Sequence, residues 1–470
     1  SVIKNLGITH EKPFFLFRNK KAFFMWDSPH LIKSIRNNLI NHDFLWQGSI
    51  VKWDFIVKTV NSDEPLRFRL APKVNQKHIN ISKKGGFSKM KVKLATQILS
   101  RSVNVAMLVL QSMNLLPSTS LPTAQFVLDF NDLFDCFNSS KKSQDKLSYR
   151  FPMSPTSRHR QFLWKMLKDI ANSKFIGCSR QPDCLSGWML NIRSLLYFSE
   201  FMAENHEQRT IRTRLLNQDA LENTFSVVRQ QNGCSDHPTA QQLETGLKAL
   251  SLSSLSKLPN NSNCEKDLEE ALVKLSTLPP TSLTKPDQLP TTDDDIIDHD
   301  IIESPAGSML QLNPTEENAF YYSCGFILRK FFERRSCVEC KQALLNESRE
   351  LEQNHQLLAY FKAYSEELSQ EFGHLFLPSE QALLALRKQE RIFFHGFRPR
   401  CHKAGIGKAI QNAIGLHNIP IGTCCSVQNQ RFIHLFVKYR IFWVVRSLNR
   451  CMEDPQSDQR FTLKKLFKLK

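Results

Sequence analysis

Two acidic residues stand where metal-dependent phosphoryl chemistry could use them. Asp27 ends an apolar stretch and is followed by Ser28-Pro29. Glu222 lies in RTIRTRLLNQDALENTFSVVRQQ (209–231), with Asp219 three residues earlier on the same helical face. Two-metal phosphoryl transfer needs carboxylates that converge on a pair of Mg²⁺ ions, which activate the attacking oxygen and stabilise the leaving one. Taken singly, an Asp before a helix is a cap and a Glu on a helix is a solvated surface group. The two can share metals only if the chain between them loops out.

The elements around them read as follows. Residues 13–27, PFFLFRNKKAFFMWD, predict two strands around the polar turn Arg18-Asn19-Lys20, with Asp27 ending the second. Ser28 suits a helix N-cap and Pro29 the first helical position. Leu31, Ile35 and Leu39 then give one apolar face. Residues 66–85 are basic and irregular. From Lys89 to Leu110 the pattern is helical, with Val92, Ala95, Leu99, Val103 and Ala106 on one stripe. Residues 125–137 and 157–171 are also helical. Residues 209–231 predict an amphipathic helix with Leu221, Phe225 and Val228 inward, stopped by Asn232-Gly233. Beyond Leu250 the chain turns rich in Ser, Pro, Thr and Asp, which reads as a disordered linker. Order resumes near Ala319 and runs in helical segments to about Asn449, before the basic end KKLFKLK. There is no internal repeat.

Composition bounds the partners. The 470 residues suffice for two to four domains, and 41% are hydrophobic, enough for a sizeable core rich in the 34 Phe. A net charge of +18 favours a polyanion, with nucleic acid the default and an anionic membrane surface second. No apolar run spans a bilayer, and residues 1–20 do not form a signal peptide. The 12 Cys have no regular spacing and read as reduced thiols of a cytosolic or nuclear protein. The chain begins with Ser1 and is taken as a fragment.

RNase H-like nucleases place one acid on a first strand, one at the end of a later strand and one on a helix. Asp27 has the second placement and Glu222 the third. The segments WDSPHLIKSIRNNL (26–39), KMKVKLATQILS (89–100), LFDCFNSS (133–140) and LLNQDALENTFSVVRQQNGCSDHPT (215–239) resemble the P-element transposases and their THAP-domain relatives in motif and order. The first and last are specific, and together the four extend over residues 1–250.

The resemblance implies an α/β plus α fold. A partial RNase H-like unit, a mixed sheet with helices, would occupy 1–65 and 206–250. A mainly helical GTP-binding insertion would fill 66–205, followed by a linker at 251–315 and a helical C-terminal domain at 316–470. Asp27 and Glu222 then match the second catalytic aspartate and the catalytic glutamate, both binding Mg²⁺. The first aspartate and the zinc-coordinating THAP domain would precede Ser1, so the chain alone is expected not to cut DNA. The implied partners are transposon-end and target DNA and further copies of the chain, in the nucleus and without a membrane. The alternative is a domesticated or decayed relative that binds DNA or protein without chemistry.

GTP would not sit on a Walker loop. Ala404-Gly405-Ile406-Gly407-Lys408 lacks Gly at His402 and Ser/Thr at 409, and reads as a helix start. The resemblance instead implies Asp135 and Asp219 near the base, where a carboxylate can accept from the guanine N1–H and N2–H donors. Val92 and Phe134 would flank the ring, Lys91, Ser100 and Asn138 would complete the pocket, and a phosphate lysine belongs near Lys73 or Lys77. Cys337-x-x-Cys340, with Cys425 and His434 downstream, has zinc-like elements but no tight second pair. Buried thiols are the preferred reading there.

Overall fold

The computed structural model describes residues 5–80, 89–140, 149–206, 210–231, 239–252, 311–333, 337–346, 354–362, 376–403, 405–417, 419 and 426–452. Residues 253–310 of the expected linker, the stop at Asn232-Gly233 and the basic terminus lie outside them, while 251–252 end one helix and 314–315 begin another. The chain is mixed α/β and helix-rich. It divides into two units, one of Ser1–Asn61 with Lys73–Asp287, the other of Ser62–Pro72 with Gln288–Lys470.

The first unit starts with a hairpin, β1 (Phe14–Phe17) and β2 (Lys20–Phe23), in which Phe17 pairs with Lys20. Arg18 and Asn19 both take positive φ, the two-residue turn whose twist suits a hairpin. Helix α1 (Ser28–Asn41) buries Leu31, Ile35 and Leu39, as the spacing predicts. A second sheet follows, β3 (Phe44–Trp46) between β4 (Ser49–Val51) and β5 (Lys174–Phe175), with Gln47 and Gly48 at positive φ in its hairpin. Among the described residues every strand pair is antiparallel, so the expected mixed sheet is not formed by them.

Helix α2 (Trp53–Asp63) and the single turn α3 (Gln76–Ile79) lead to a break that periodicity did not show. The expected helix from Lys89 to Leu110 is two helices, α4 (Val92–Ile98) and α5 (Arg101–Ser112). Ser100 separates them, its Oγ donating to Gln97 O (2.8 Å) and accepting from Val103 N (3.4 Å). All five stripe residues are buried across the break, which is why the pattern looked continuous. Helix α6 (Leu121–Phe137) packs against α5. Rings of Phe44, Trp46, Phe126, Phe130 and Phe175 interlock beside it at centroid separations of 4.4–5.9 Å. Helices α7 (His159–Ala171) and α8 (Asp183–His206) pack together, and α8 also lies on α1. A Cβ at Gly187 of α8 would stand 2.7 Å from Leu31 Cδ2, so glycine permits that close approach. Helices α9 (Asp219–Gln231) and α10 (Ala240–Leu252) end the described part of this unit.

In the second unit, α11 (Pro314–Phe332) begins with an Asn313/Glu316 capping box, five residues earlier than expected. Helices α12 (Val338–Leu344), α13 (Leu357–Lys362), α14 (Glu380–Arg400), α15 (Ile406–Leu416) and α16 (Ser426–Met452) follow among the described residues. Gly405, at φ 74°, precedes α15, so Gly405–Lys408 is a helix start as read from sequence, while Ala404 lies outside the described residues.

Candidate metal centre and nucleotide residues

Asp27 reaches its position by a route the sequence did not give. Strand β2 ends at Phe23, and Asp27 stands four residues beyond it. It is itself the N-cap of α1, its Oδ2 accepting from His30 N (3.2 Å), so Ser28 is the first helical residue and not the cap. Asn191, fully buried on α8, grips the preceding residue at both ends. Its Oδ1 accepts from Trp26 N and its Nδ2 donates to Trp26 O, both at 2.7 Å. That grip holds Trp26 against α8, next to Asp27 at the helix start.

Glu222 arrives from α9. Asp27 Oδ1 accepts from Gln218 N (3.0 Å), so one carboxylate ties together the starts of α1 and α9. His30 joins them: its Nδ1 donates to Asp27 Oδ2, and its Nε2 is 3.9 Å from Glu222 Oε1. One ligand atom from each of Asp27, His30 and Glu222 lies within 4.8 Å of the others. Two helix N-termini thus bring their partial positive charge to a pair of carboxylates. Burial works against ionising Asp27, but hydrogen bonds from the His30 ring and the Gln218 amide outweigh it and hold its pKa below the ordinary value. The same bond to Asp27, opposed by burial and Lys33, raises the pKa of His30. Two carboxylates and an imidazole suit a divalent cation, with oxygens for hard ions and the nitrogen for transition metals.

Helix α9 is turned contrary to its hydrophobic pattern. Leu221 and Phe225, expected inward, are 55% and 43% exposed, and only Val228 of the three is buried. Asp219 and Asn223, one turn apart, face inward instead. The helix is oriented to deliver its acidic first turn, at the expense of its apolar face. Both amide atoms of Asn223 are buried without a hydrogen-bond partner.

The proposed nucleotide residues stand at the start of α4, between α4 and α5, at the end of α6 and at the start of α9. Exposed Lys91 and buried Val92 open α4, and Ser100 caps α5. Phe134 and Asp135 are buried in the last turn of α6, and Asn138 follows as its C-cap. Arg101 N donates to Asn131 Oδ1 (3.3 Å), which holds the start of α5 against α6. Thr213 Oγ1 donates to Cys136 O (2.6 Å), which ties the approach to Asp219 to the same helix end. His78 Nε2 meets Gln97 Oε1 at 2.8 Å, joining the Lys77 turn to α4. Asp135 already accepts from Arg150 Nε (2.9 Å) and Asn131 Nδ2 (3.4 Å). A cavity of about 350 Å³ lies elsewhere, lined by Trp46, Asn104, Leu121 and Gln125 among others, and by none of these residues.

The cysteines do not make a competing centre among the described residues. Cys340 is buried and Cys337 half-buried, while His434 is exposed with Nδ1 3.4 Å from Gln411 Oε1. Cys425 lies outside the described residues. His30, Asn191 and Asn223 escaped the sequence reading. His30 alone had a signal there, three residues after Asp27 and so one helical turn away.

Family models match residues 29–150 (TNP-like, GTP-binding insertion domain), 215–246 (TNP-like, RNase H C-terminal domain) and 311–419 (DNA transposase THAP9, C-terminal domain). The Transposable element P transposase of Drosophila melanogaster is 27% identical over 246 residues, 52% of this chain and 32% of that protein. This chain therefore spans about a third of that relative's length. A solved structure, the Drosophila P element transposase strand transfer complex, is 26% identical at a TM-score of 0.47, covering 52% of this chain and 56% of that one. The three family matches, in this order, and the relative matched over 52% of this chain support a P-element-type transposase.

Proposed function

We propose that the chain carries part of the catalytic core of a metal- and GTP-dependent cut-and-paste DNA transposase, an RNase H-like fold interrupted by a helical GTP-binding insertion. Its substrates would be transposon ends and target DNA in the nucleus, and its working form a homo-oligomer. The observation that carries this is the convergence of Asp27 and Glu222, which residues 28–221 separate in sequence, on one cluster at two helix starts. A divalent cation there, Mg²⁺ on the carboxylates' own chemistry, would activate the attacking oxygen and stabilise the leaving one. Asp27 and Glu222 would hold it, and the Gln218 amide fixes the Asp27 oxygen that faces α9.

For GTP, Asp135 and Asp219 would accept from the guanine N1–H and N2–H edge, with Val92 and Phe134 on its faces. Lys91, Ser100 and Asn138 would line the remainder. Base binding at Asp135 requires its Arg150 partner to turn aside, and the Arg150 side chain is exposed enough to do so. The test is calorimetric titration of the chain with GTP, ATP and XTP. GTP should bind with clear preference over ATP, and Asp135→Asn should weaken GTP more than XTP. Equal binding of GTP and ATP would sink the nucleotide reading. Unchanged divalent-cation binding in both Asp27→Asn and Glu222→Gln would sink the metal reading.

A further inference from the structure

The cluster contains one donor that carboxylate-only Mg²⁺ chemistry does not call for. The His30 ring stands between the two carboxylates, with Nδ1 bound to Asp27 Oδ2 and Nε2 turned to Glu222 Oε1 at 3.9 Å. A divalent ion bonds nitrogen and oxygen at roughly 2 Å each, so the gap between Nε2 and Oε1 is of the size that one shared ion fills. A metal-bound imidazole characteristically donates its other N–H to a carboxylate, which fixes its tautomer and orientation. Asp27 does this here, and is held in turn by the backbone amides of His30 and Gln218. The ring is half exposed, so it has room to adjust as ligation requires.

We propose that His30 Nε2 is a metal ligand beside Glu222, and that the centre therefore takes a transition divalent cation of the Mn²⁺ class in preference to Mg²⁺. Mg²⁺ favours oxygen donors and parts with its waters reluctantly, whereas imidazole suits the first-row transition metals. The inference rests on the reading that this cluster holds a divalent cation at all, and adds which ion and through which atom.

The experiment titrates the whole chain with Mn²⁺ and with Mg²⁺ at pH 8, where the imidazole can shed the proton that competes with a metal. Calorimetry gives the affinities, and pulsed electron paramagnetic resonance gives the nitrogen coupling to bound Mn²⁺. Wild type should bind Mn²⁺ at least about tenfold more tightly than Mg²⁺ and show a histidine nitrogen coupling. His30→Gln should weaken Mn²⁺ about tenfold or more, abolish the coupling and leave Mg²⁺ within about threefold. Equal losses for both ions, or a coupling that survives the substitution, would overturn the proposal. Should His30→Gln fail to fold by circular dichroism, the wild-type spectrum decides alone: no nitrogen coupling overturns it. Glu222→Gln should weaken both ions. If it and Asp27→Asn weaken neither, the metal reading falls as well, which distinguishes the two failures.

Discussion

Two carboxylates on opposite units of this protein meet opposite fates. Glu390 on α14 is fully buried and accepts two bonds from Arg440 of α16, Nε at 2.6 Å and Nη2 at 2.7 Å. The guanidinium also lies 4.5 Å from the Phe68 ring and 5.3 Å from that of Phe393, so the charge pair is sealed in apolar surroundings. Glu222 on α9 is more than a third exposed and meets a half-exposed imidazole at 3.9 Å. The first carboxylate is neutralised by the protein and serves the fold. The second sits at a helix start beside Asp27, where a cation would lower the charge density of the cluster. Burial against a two-pronged arginine, not residue type, separates the structural acid from the more exposed candidate ligand.

The sharpest way to break that contrast is to strip Glu390 of its partner. Arg440→Met should destabilise the second unit by about 3–5 kcal/mol, because it leaves a buried charge uncompensated. The double variant Glu390→Leu/Arg440→Met should recover most of the loss. Denaturant unfolding of the full chain measures both, and a single variant within 1 kcal/mol of wild type, roughly the value of an exposed pair, would erase the distinction.

Next in size is Asn191→Leu. It removes the partner of the part-buried Trp26 N–H and C=O, at a cost of about 1–3 kcal/mol, and releases Asp27 from its place. The expected readout is a fall in both unfolding free energy and divalent-cation affinity. Lost stability with unchanged cation binding would show that Asp27 needs no such anchoring.

A smaller effect comes from pH. In chelator, the Asp27–His30 bond stabilises the fold while Asp27 is ionised and His30 protonated. The Asp27 contribution is present above the ordinary value of 3.8 and is lost as pH falls through its lowered folded value. The His30 contribution is full below 6.5 and is lost as pH rises through its raised folded value. The melting temperature of wild type minus that of His30→Gln should therefore be widest between these two pH values and narrow on either side. A difference that grows steadily from pH 5 to pH 9 would contradict the sign.

The smallest expected effect is at Asn223. Its amide is buried without a partner, so Asn223→Ala removes a desolvated group along with some packing and should change stability by no more than about 0.5 kcal/mol. A loss above about 2 kcal/mol would mean that the amide satisfies a bond in solution, and would group it with Asn191 as a structural residue.

Much of the local structure was legible. The Arg18-Asn19 turn, the Leu31/Ile35/Leu39 face and the helix start at Gly405 follow from turn chemistry and periodicity, which act over a few residues. The break at Ser100 was hidden because the buried stripe continues through it, and a serine that caps a helix looks like one that sits within it. Asp27 was found as a helix-start acid, but its N-cap role depended on where Asn191 holds Trp26.

The sequence by itself determined which residues could act: an aspartate before a helix, a glutamate with Asp219 one turn earlier, and a basic chain suited to a polyanion. Only the tertiary structure decided which of them meet. It turned α9 so that Asp219 and Asn223 lie inward and Leu221 and Phe225 outward, against the hydrophobic pattern. It also set His30 between Asp27 and Glu222. The physical reason is that periodicity reports the average preference of a face for water. The direction in which a helix finally points is fixed by long-range contacts, here the Gln218 amide on Asp27 and the Thr213 hydroxyl on Cys136, which no local pattern contains.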